Sequence, residues 1–124
     1  MTLLNDFFNI LSSVNDETTG TYDIALNPEH IIFKAHFPGK PITPGVCQIG
    51  IVEELLSCQV GQPLRLAYIN NIKYMSIISP QENPQLQVRL SHIQTAEDGF
   101  RVQAVLATEA ATFTKMSLRM TPKS

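Results

Sequence analysis

Apolar residues near the start of the chain recur with the period of a helix. They are Leu3, Leu4, Phe7, Phe8, Ile10 and Leu11. This spacing predicts a short amphipathic helix, and the polar residues Asn15 and Asp16 mark its end. We expect that helix to cap a sheet.

A change of period follows this segment. Tyr22, Ile24 and Leu26 alternate with more polar neighbours, which predicts a β-strand. After the break at Asn27-Pro28, the apolar run over 30–37 predicts a second strand. We expect these two strands to pair in antiparallel fashion.

The middle of the chain is the most apolar part. Few residues of 46–57 are polar, which is typical of a helix buried on most of its circumference, and Gly61, Gln62 and Pro63 end it. Strands are predicted over 64–78, 86–93, 100–109 and 111–120. One long apolar helix followed by successive strands favours an α+β fold, in which a curved antiparallel sheet wraps around the helix.

Size and charge restrict the function classes. With 124 residues, the chain is predicted to form one domain over 1–124, and 44% hydrophobic residues with 16% charged residues are typical of a globular protein. The net charge is −2, and the nine Lys and Arg residues are scattered. Nucleic acid is therefore not an expected partner.

The cysteines and histidines indicate the compartment and argue against a metal. Cys47 and Cys58 lie about 16 Å apart on the predicted helix, so they cannot pair. Free thiols without a secretory signal predict a cytoplasmic protein, and no apolar segment is long enough for a membrane span. We interpret His30 and His92 as strand residues, because no metal-ligand spacing surrounds them.

The segment 36–46, HFPGKPITPGV, joins the predicted strand to the apolar helix. Its three prolines restrict the backbone, so the loop is expected to hold one conformation. Gly45 stands at the helix start, where a backbone amide without a side chain can approach a bound oxygen. A fixed His36 and a helix N-terminus are therefore expected to lie in one site.

This segment resembles the active-site motif HFPxxPxxPGV of the 3-hydroxyacyl-(acyl carrier protein) dehydratases, which precedes the central helix of their hotdog fold. The resemblance implies a lyase without cofactor that converts a 3-hydroxyacyl thioester into a trans-2-enoyl thioester. The carrier would be acyl carrier protein or coenzyme A, in fatty-acid or related lipid biosynthesis. It also implies a cytoplasmic homodimer, or a larger assembly, whose sites lie across the subunit interface.

The resemblance also implies roles for individual residues. His36 would remove the proton from C2, and the Gly45 amide would bind the thioester carbonyl. Phe37 and Val46 would contact the substrate. In the family, an acid from the partner subunit's helix, fourteen positions after the histidine, protonates the leaving hydroxyl.

The chain departs from the family at that acid, because the corresponding position is Gly50. Glu53 and Glu54 share its helix face, and helical side chains lean toward the N-terminus. Glu54, one turn after Gly50, is therefore the predicted replacement acid, with Glu53 as the second candidate. A solvated pair of glutamates is the alternative. A glycine at position 50 would either allow close helix packing at the dimer interface or make room for an altered substrate.

Three functions remain open from the sequence. The leading prediction is a dehydratase with His36 as base. The others are an acyl-thioester hydrolase and a non-catalytic acyl-binding or assembly subunit that has lost the acid. We interpret Cys47 as a core residue, and expect Gln48, opposite Gly50 on the helix, to make a structural hydrogen bond.

Overall fold

The computed structural model describes residues 2–123, in which a six-stranded antiparallel sheet wraps around one long helix. The strands are β1 (Phe8–Asn15), β2 (Gly20–Leu26), β3 (Leu64–Tyr74), β4 (Gln85–Ala96), β5 (Gly99–Ala107) and β6 (Thr112–Pro122). The helices are α1 (Ile31–Ala35) and α2 (Gly45–Val60). The strand order is β1-β2-β4-β5-β6-β3, and the sheet stays open. The predicted α+β arrangement is confirmed.

Helix α2 forms the centre of the core. One side of the helix is fully buried, and its residues are Cys47, Gln48, Ile51, Val52, Leu55 and Leu56. The helix ends at Gly61, whose φ of 76° is the left-handed conformation that glycine adopts without strain. The predicted central helix and its end are therefore confirmed, as is the assignment of Cys47 to the core.

The predicted N-terminal helix is wrong. Residues 3–7 form a turn, in which the Phe7 amide donates to the Leu3 carbonyl at 2.7 Å. Strand β1 then begins at Phe8, which pairs with Leu26 of β2. A register shift after Ile10 interrupts the ladder. Apolar residues on both sides of a turn and a bulge imitate helical spacing, because neither feature has a fixed period.

The predicted strand over 30–37 is also wrong. Its middle forms α1, and His30 caps that helix because its Nδ1 accepts a hydrogen bond from the Ile32 amide at 3.1 Å. Phe33 is buried and stacks on Phe7 with ring centroids 4.7 Å apart. A short apolar run does not distinguish a strand from a buried helical turn. Strand β2 pairs instead with β1 and β4.

The four later strands are confirmed with shifted bounds, and the first of them, β3, is shorter than predicted because it ends at Tyr74. Strand β3 is an edge strand that pairs with β6 on one side only. Large apolar side chains stay exposed along it and just beyond it, and we call this surface the β3 edge: Tyr68, Ile69, Tyr74, Met75 and Ile77. Over residues 2–123, none of the helices has the length and hydropathy needed to cross a membrane.

Candidate active site

The loop between α1 and α2 is held at both ends by backbone hydrogen bonds. The His36 amide donates to Ile32 O at 2.9 Å, and the Ile42 amide donates to His36 O at 2.8 Å. Near the end of the loop, the Thr43 amide donates to Ile78 O at 2.8 Å. These bonds close the loop on itself and attach it to the segment after β3, so His36 occupies a defined position.

The His36 imidazole is exposed at the C-terminal end of α1. Its ring packs edge-on against Phe37, with centroids 5.5 Å apart. Over residues 2–123, neither ring nitrogen has a hydrogen-bond partner. A fixed imidazole with a free nitrogen is suited to accept a proton from a bound substrate.

The N-terminus of α2 offers two free amides. Pro44 is the N-cap and has no side-chain donor or acceptor, while the amides of Cys47 and Gln48 bond to its carbonyl. The amides of Gly45 and Val46 have no acceptor in the part of the chain that is described. The helix dipole adds partial positive charge at this end, so the site favours an oxygen with negative or partial negative charge.

A cavity of about 310 Å³ opens beside these amides. Its wall runs from the loop to the end of β3 and consists of Ile42, Thr43, Pro44, Gly45, Gln48, Tyr74, Met75, Ser76 and Ile77. The Tyr74 ring lies directly against Gly45, where a Cβ would overlap Oη and approach Cζ to 2.9 Å. Partial burial raises the pKa of Tyr74, so its hydroxyl remains a neutral donor at physiological pH.

Gln48 lines this cavity and makes the structural hydrogen bonds that the sequence predicts. Its Nε2 donates to Thr43 O at 3.2 Å, and its Oε1 accepts from the Thr114 hydroxyl at 2.6 Å. Both bonds are buried, so they fix the loop against β6.

The Thr43 hydroxyl has no such partner. Thr43 is only 4% exposed, and its Oγ1 makes no hydrogen bond within residues 2–123. Burying a hydroxyl without a partner costs about 1–3 kcal/mol, so this wall of the cavity is polar and unsatisfied. A bound polar group would supply the missing partner.

Replacing Thr43 by valine is expected to stabilise the unliganded protein. Valine has nearly the same shape and removes the unpartnered hydroxyl, so we expect the free energy of unfolding to rise by about 1 kcal/mol. Urea denaturation measures this change. Thr114→Val is the control: it removes a hydroxyl that donates to Gln48 and is expected to destabilise. A loss of stability in Thr43→Val would contradict the assignment of an unsatisfied hydroxyl.

Gly50 lies beneath the N-terminal turn of the same chain. Leu3 is 2% exposed, and a Cβ on Gly50 would come within 2.8 Å of Leu3 Cδ1. The glycine therefore makes room for Leu3. This contact lies within one chain, whereas the sequence suggested either packing at a dimer interface or room for a substrate.

Glu54 holds the same turn. Its carboxylate accepts hydrogen bonds from the Leu3 amide at 2.8 Å and 3.0 Å and from the Leu4 amide at 2.8 Å. Glu53 accepts from the Leu66 amide of β3 at 2.6 Å. The two glutamates are thus not a solvated pair, because each carboxylate binds the main chain of its own protomer.

The structure brings some predicted site residues together and not others. Gly45 lines the cavity, and Val46 follows it at the helix start with 73% of its surface accessible. His36 is not among the residues that line this cavity, and Phe37, which is 53% exposed, lines a different cavity. No hydrogen bond links His36 to Glu53 or Glu54 within residues 2–123. Sequence reasoning missed Thr43 and Tyr74, although Thr43 lies within the motif and Tyr74 lies within the predicted strand over 64–78.

Cys47 does not supply a second reactive group. Although it lies in the first turn of α2, burial raises the pKa of its thiol and thus opposes the thiolate form. Both cysteines are free, with Cys58 exposed at the other end of the helix.

Comparison with solved structures identifies the fold. A chain of the dehydratase heterocomplex ApeI:P from Xenorhabdus doucetiae superposes with a TM-score of 0.68 at 17% identity, covering 90% of this chain and 96% of that one. An uncharacterized protein from Erwinia carotovora subsp. atroseptica gives a TM-score of 0.64 at 21% identity, with coverages of 91% and 94%. A thioesterase from Pseudomonas aeruginosa gives 0.57 at 11% identity, with coverages of 94% and 82%.

These likenesses confirm the hotdog fold. No curated protein matched the chain. The family model described as ApeI dehydratase, by contrast, matches residues 12–115, which include the loop, α2 and most of the sheet. The chain therefore belongs to the ApeI-like dehydratase family.

Proposed function

We propose that the chain removes water from a 3-hydroxyacyl thioester and leaves a trans-2-enoyl thioester. The observation that carries this proposal is the fixed loop that bears the free imidazole of His36 and leads into the free amide of Gly45. His36 takes the proton from C2, the electron pair forms the C2–C3 double bond, and the C3–O bond breaks. The Gly45 amide stabilises the negative charge on the thioester oxygen, and a protonated leaving hydroxyl departs as water.

The acid that protonates this hydroxyl comes from a second subunit. Glu54 of such a subunit is the prediction from the sequence. Its carboxylate, however, already accepts from two amides of its own chain, whereas a general acid must carry a proton on one of its oxygens. The hydrogen bonds therefore favour a second source, namely a hotdog chain of different sequence that retains the acid. The structurally similar ApeI:P assembly is a dehydratase heterocomplex.

The subunit contact runs along the β3 edge. Strand β3 has one unpaired side, and exposed apolar side chains continue beyond it. Such edges are normally covered, and a contiguous apolar surface marks an interaction site. A second hotdog chain, identical or related, would cover this surface. The substrate carrier is acyl carrier protein or coenzyme A, and the pathway is fatty-acid or related lipid biosynthesis in the cytoplasm.

Replacing Glu54 by glutamine distinguishes the two sources of the acid. The chain alone is offered a 3-hydroxyacyl thioester, and the enoyl product and free thiol are followed together. We expect enoyl product without free thiol, at a rate about 10²- to 10⁴-fold below that of a site with a positioned acid, because solvent protonates the leaving group. Glu54→Gln is expected to keep this rate, because glutamine still accepts an amide hydrogen bond.

The control is Glu109→Gln, an exposed glutamate far from α2 in the sequence. If Glu54→Gln lowers enoyl formation 100-fold while Glu109→Gln does not, Glu54 is the acid and the second source is excluded. Free thiol without enoyl product would identify a thioesterase and contradict the proposed function.

A further inference from the structure

The position of Tyr74 depends on the absence of a side chain at residue 45. A Cβ at that position would overlap Tyr74 Oη, so the tyrosine hydroxyl occupies space that any other residue at 45 would fill. Tyr74 is the last residue of β3, and the register of β3 with β6 places it opposite Thr114, whose hydroxyl holds Gln48. The hydroxyl is thereby brought to the N-terminus of α2 by the sheet and not by a loop.

Several hydrogen-bond donors around this cavity have no acceptor. They are the amides of Gly45 and Val46 and the hydroxyls of Tyr74 and Thr43, none of which is bonded as a donor within residues 2–123. Thr43 is more than nine-tenths buried and lines the cavity, so its unpartnered hydroxyl points independently to a ligand. A group that satisfies this wall must therefore be an acceptor of hydrogen bonds.

The remaining wall is mostly apolar, with Ser76 as a further hydroxyl and with the Gln48 amide already bonded. Ile42, Pro44, Met75 and Ile77 line the cavity with side chains that cannot donate a hydrogen bond. An acceptor oxygen attached to an apolar chain fits both kinds of wall, and a thioester carbonyl has this chemistry. A carboxylate or phosphate is a poorer match, because no lysine or arginine lines the cavity in the described part of the chain.

We propose that Tyr74 is a second donor to the thioester carbonyl, beside the amide of Gly45. This inference rests on the proposed function and assigns a further residue to the same site. A tyrosine hydroxyl and a helix amide that converge on one oxygen stabilise the enolate charge in the way of an oxyanion hole. The close approach that this requires explains why residue 45 must be glycine in this chain.

The test is the carbonyl stretching frequency of a bound saturated acyl thioester of N-acetylcysteamine, labelled with ¹³C at the carbonyl. Without a 3-hydroxyl group this probe cannot be dehydrated. Binding to the wild-type protein is expected to move the infrared band to lower wavenumber, and Tyr74→Phe is expected to lose a clear part of that shift. For the dehydration of a 3-hydroxyacyl thioester, kcat should fall about 100-fold in Tyr74→Phe, with a smaller change in KM.

The control is Tyr22→Phe, which removes a tyrosine hydroxyl outside both the cavity and the β3 edge, where it donates to Gln59 at 2.6 Å. Equal effects of both variants, a full shift in Tyr74→Phe, or no shift in the wild-type protein would overturn the inference. A wild-type shift without enoyl formation would contradict the proposed dehydration while leaving Tyr74 as a carbonyl ligand. Enoyl formation that is insensitive to Tyr74→Phe would contradict the role of Tyr74 alone.

Discussion

Replacing His36 by asparagine is expected to abolish measurable enoyl formation, with a loss of at least about 10²- to 10⁴-fold. Asparagine keeps a polar side chain but cannot take up the C2 proton, so the variant loses the base while the Gly45 amide remains. Because the His36 side chain is exposed and has no hydrogen-bond partner within residues 2–123, the free energy of unfolding should change by less than about 0.5 kcal/mol. Enoyl absorbance and urea denaturation measure the two quantities.

The control for His36→Asn is His92→Asn. His92 lies in β4 with a φ of 52°, a conformation that asparagine tolerates better than most residues. Its side chain is exposed, and its ring contacts the Ser91 hydroxyl, remote from the motif in sequence. We expect wild-type rates from this variant. Retention of activity in His36→Asn would remove the base from the mechanism.

Replacing Gly45 by alanine is expected to lower kcat/KM about 100-fold. The added methyl group would overlap Tyr74 Oη, so the ring must turn away from the cavity and the carbonyl pocket loses its shape. Tyr74 is half exposed, so it can move outward without disturbing the core, and alanine is a favourable helix residue. We therefore expect the free energy of unfolding to stay within about 1 kcal/mol of wild type. Steady-state kinetics measures the loss of kcat/KM, and urea denaturation measures the change in stability.

Gly50→Ala adds the same methyl group to the same helix. There it meets the end of the Leu3 side chain, so the cost is expected in stability and not in the chemical step. If Gly45→Ala keeps kcat/KM within threefold of wild type, the position of the Tyr74 ring against residue 45 does not matter for the reaction.

The sequence predicts the central part of the fold well for a physical reason. Helix α2 is long, buried along one side and ended by Gly61, so length, hydropathy and the glycine all indicate the same element. The later strands are separated by proline and glycine turns that interrupt any helix. The first 37 residues are less distinctive, because short apolar runs there form a turn, a bulged strand and a five-residue helix. Only tertiary contacts such as Phe7 on Phe33 select among these.

The sequence likewise predicts only part of the candidate site. The sequence predicts His36 and Gly45 as site residues because the loop that holds them is continuous in sequence and resembles a family motif. Tyr74 and Thr43 reach the cavity through the pairing of β3 with β6 and through the bond of Thr43 to Ile78, which no local pattern records. The bonds from Glu54 to the amides of Leu3 and Leu4 span about fifty positions in sequence. A helical wheel places Glu54 on a face but does not show what covers that face.

The proposed reaction requires His36 to remove a proton from C2 of a bound 3-hydroxyacyl thioester. Its most direct measurement is mass spectrometry of such a thioester incubated with the protein in D₂O, because loss of water, deuterium at C2 and hydrolysis have different masses. We expect enoyl thioester, with deuterium entering C2 of the remaining substrate, and we expect both signals to vanish in His36→Asn. Free acid without enoyl product or C2 deuterium, or equal signals from wild type and His36→Asn, would contradict it.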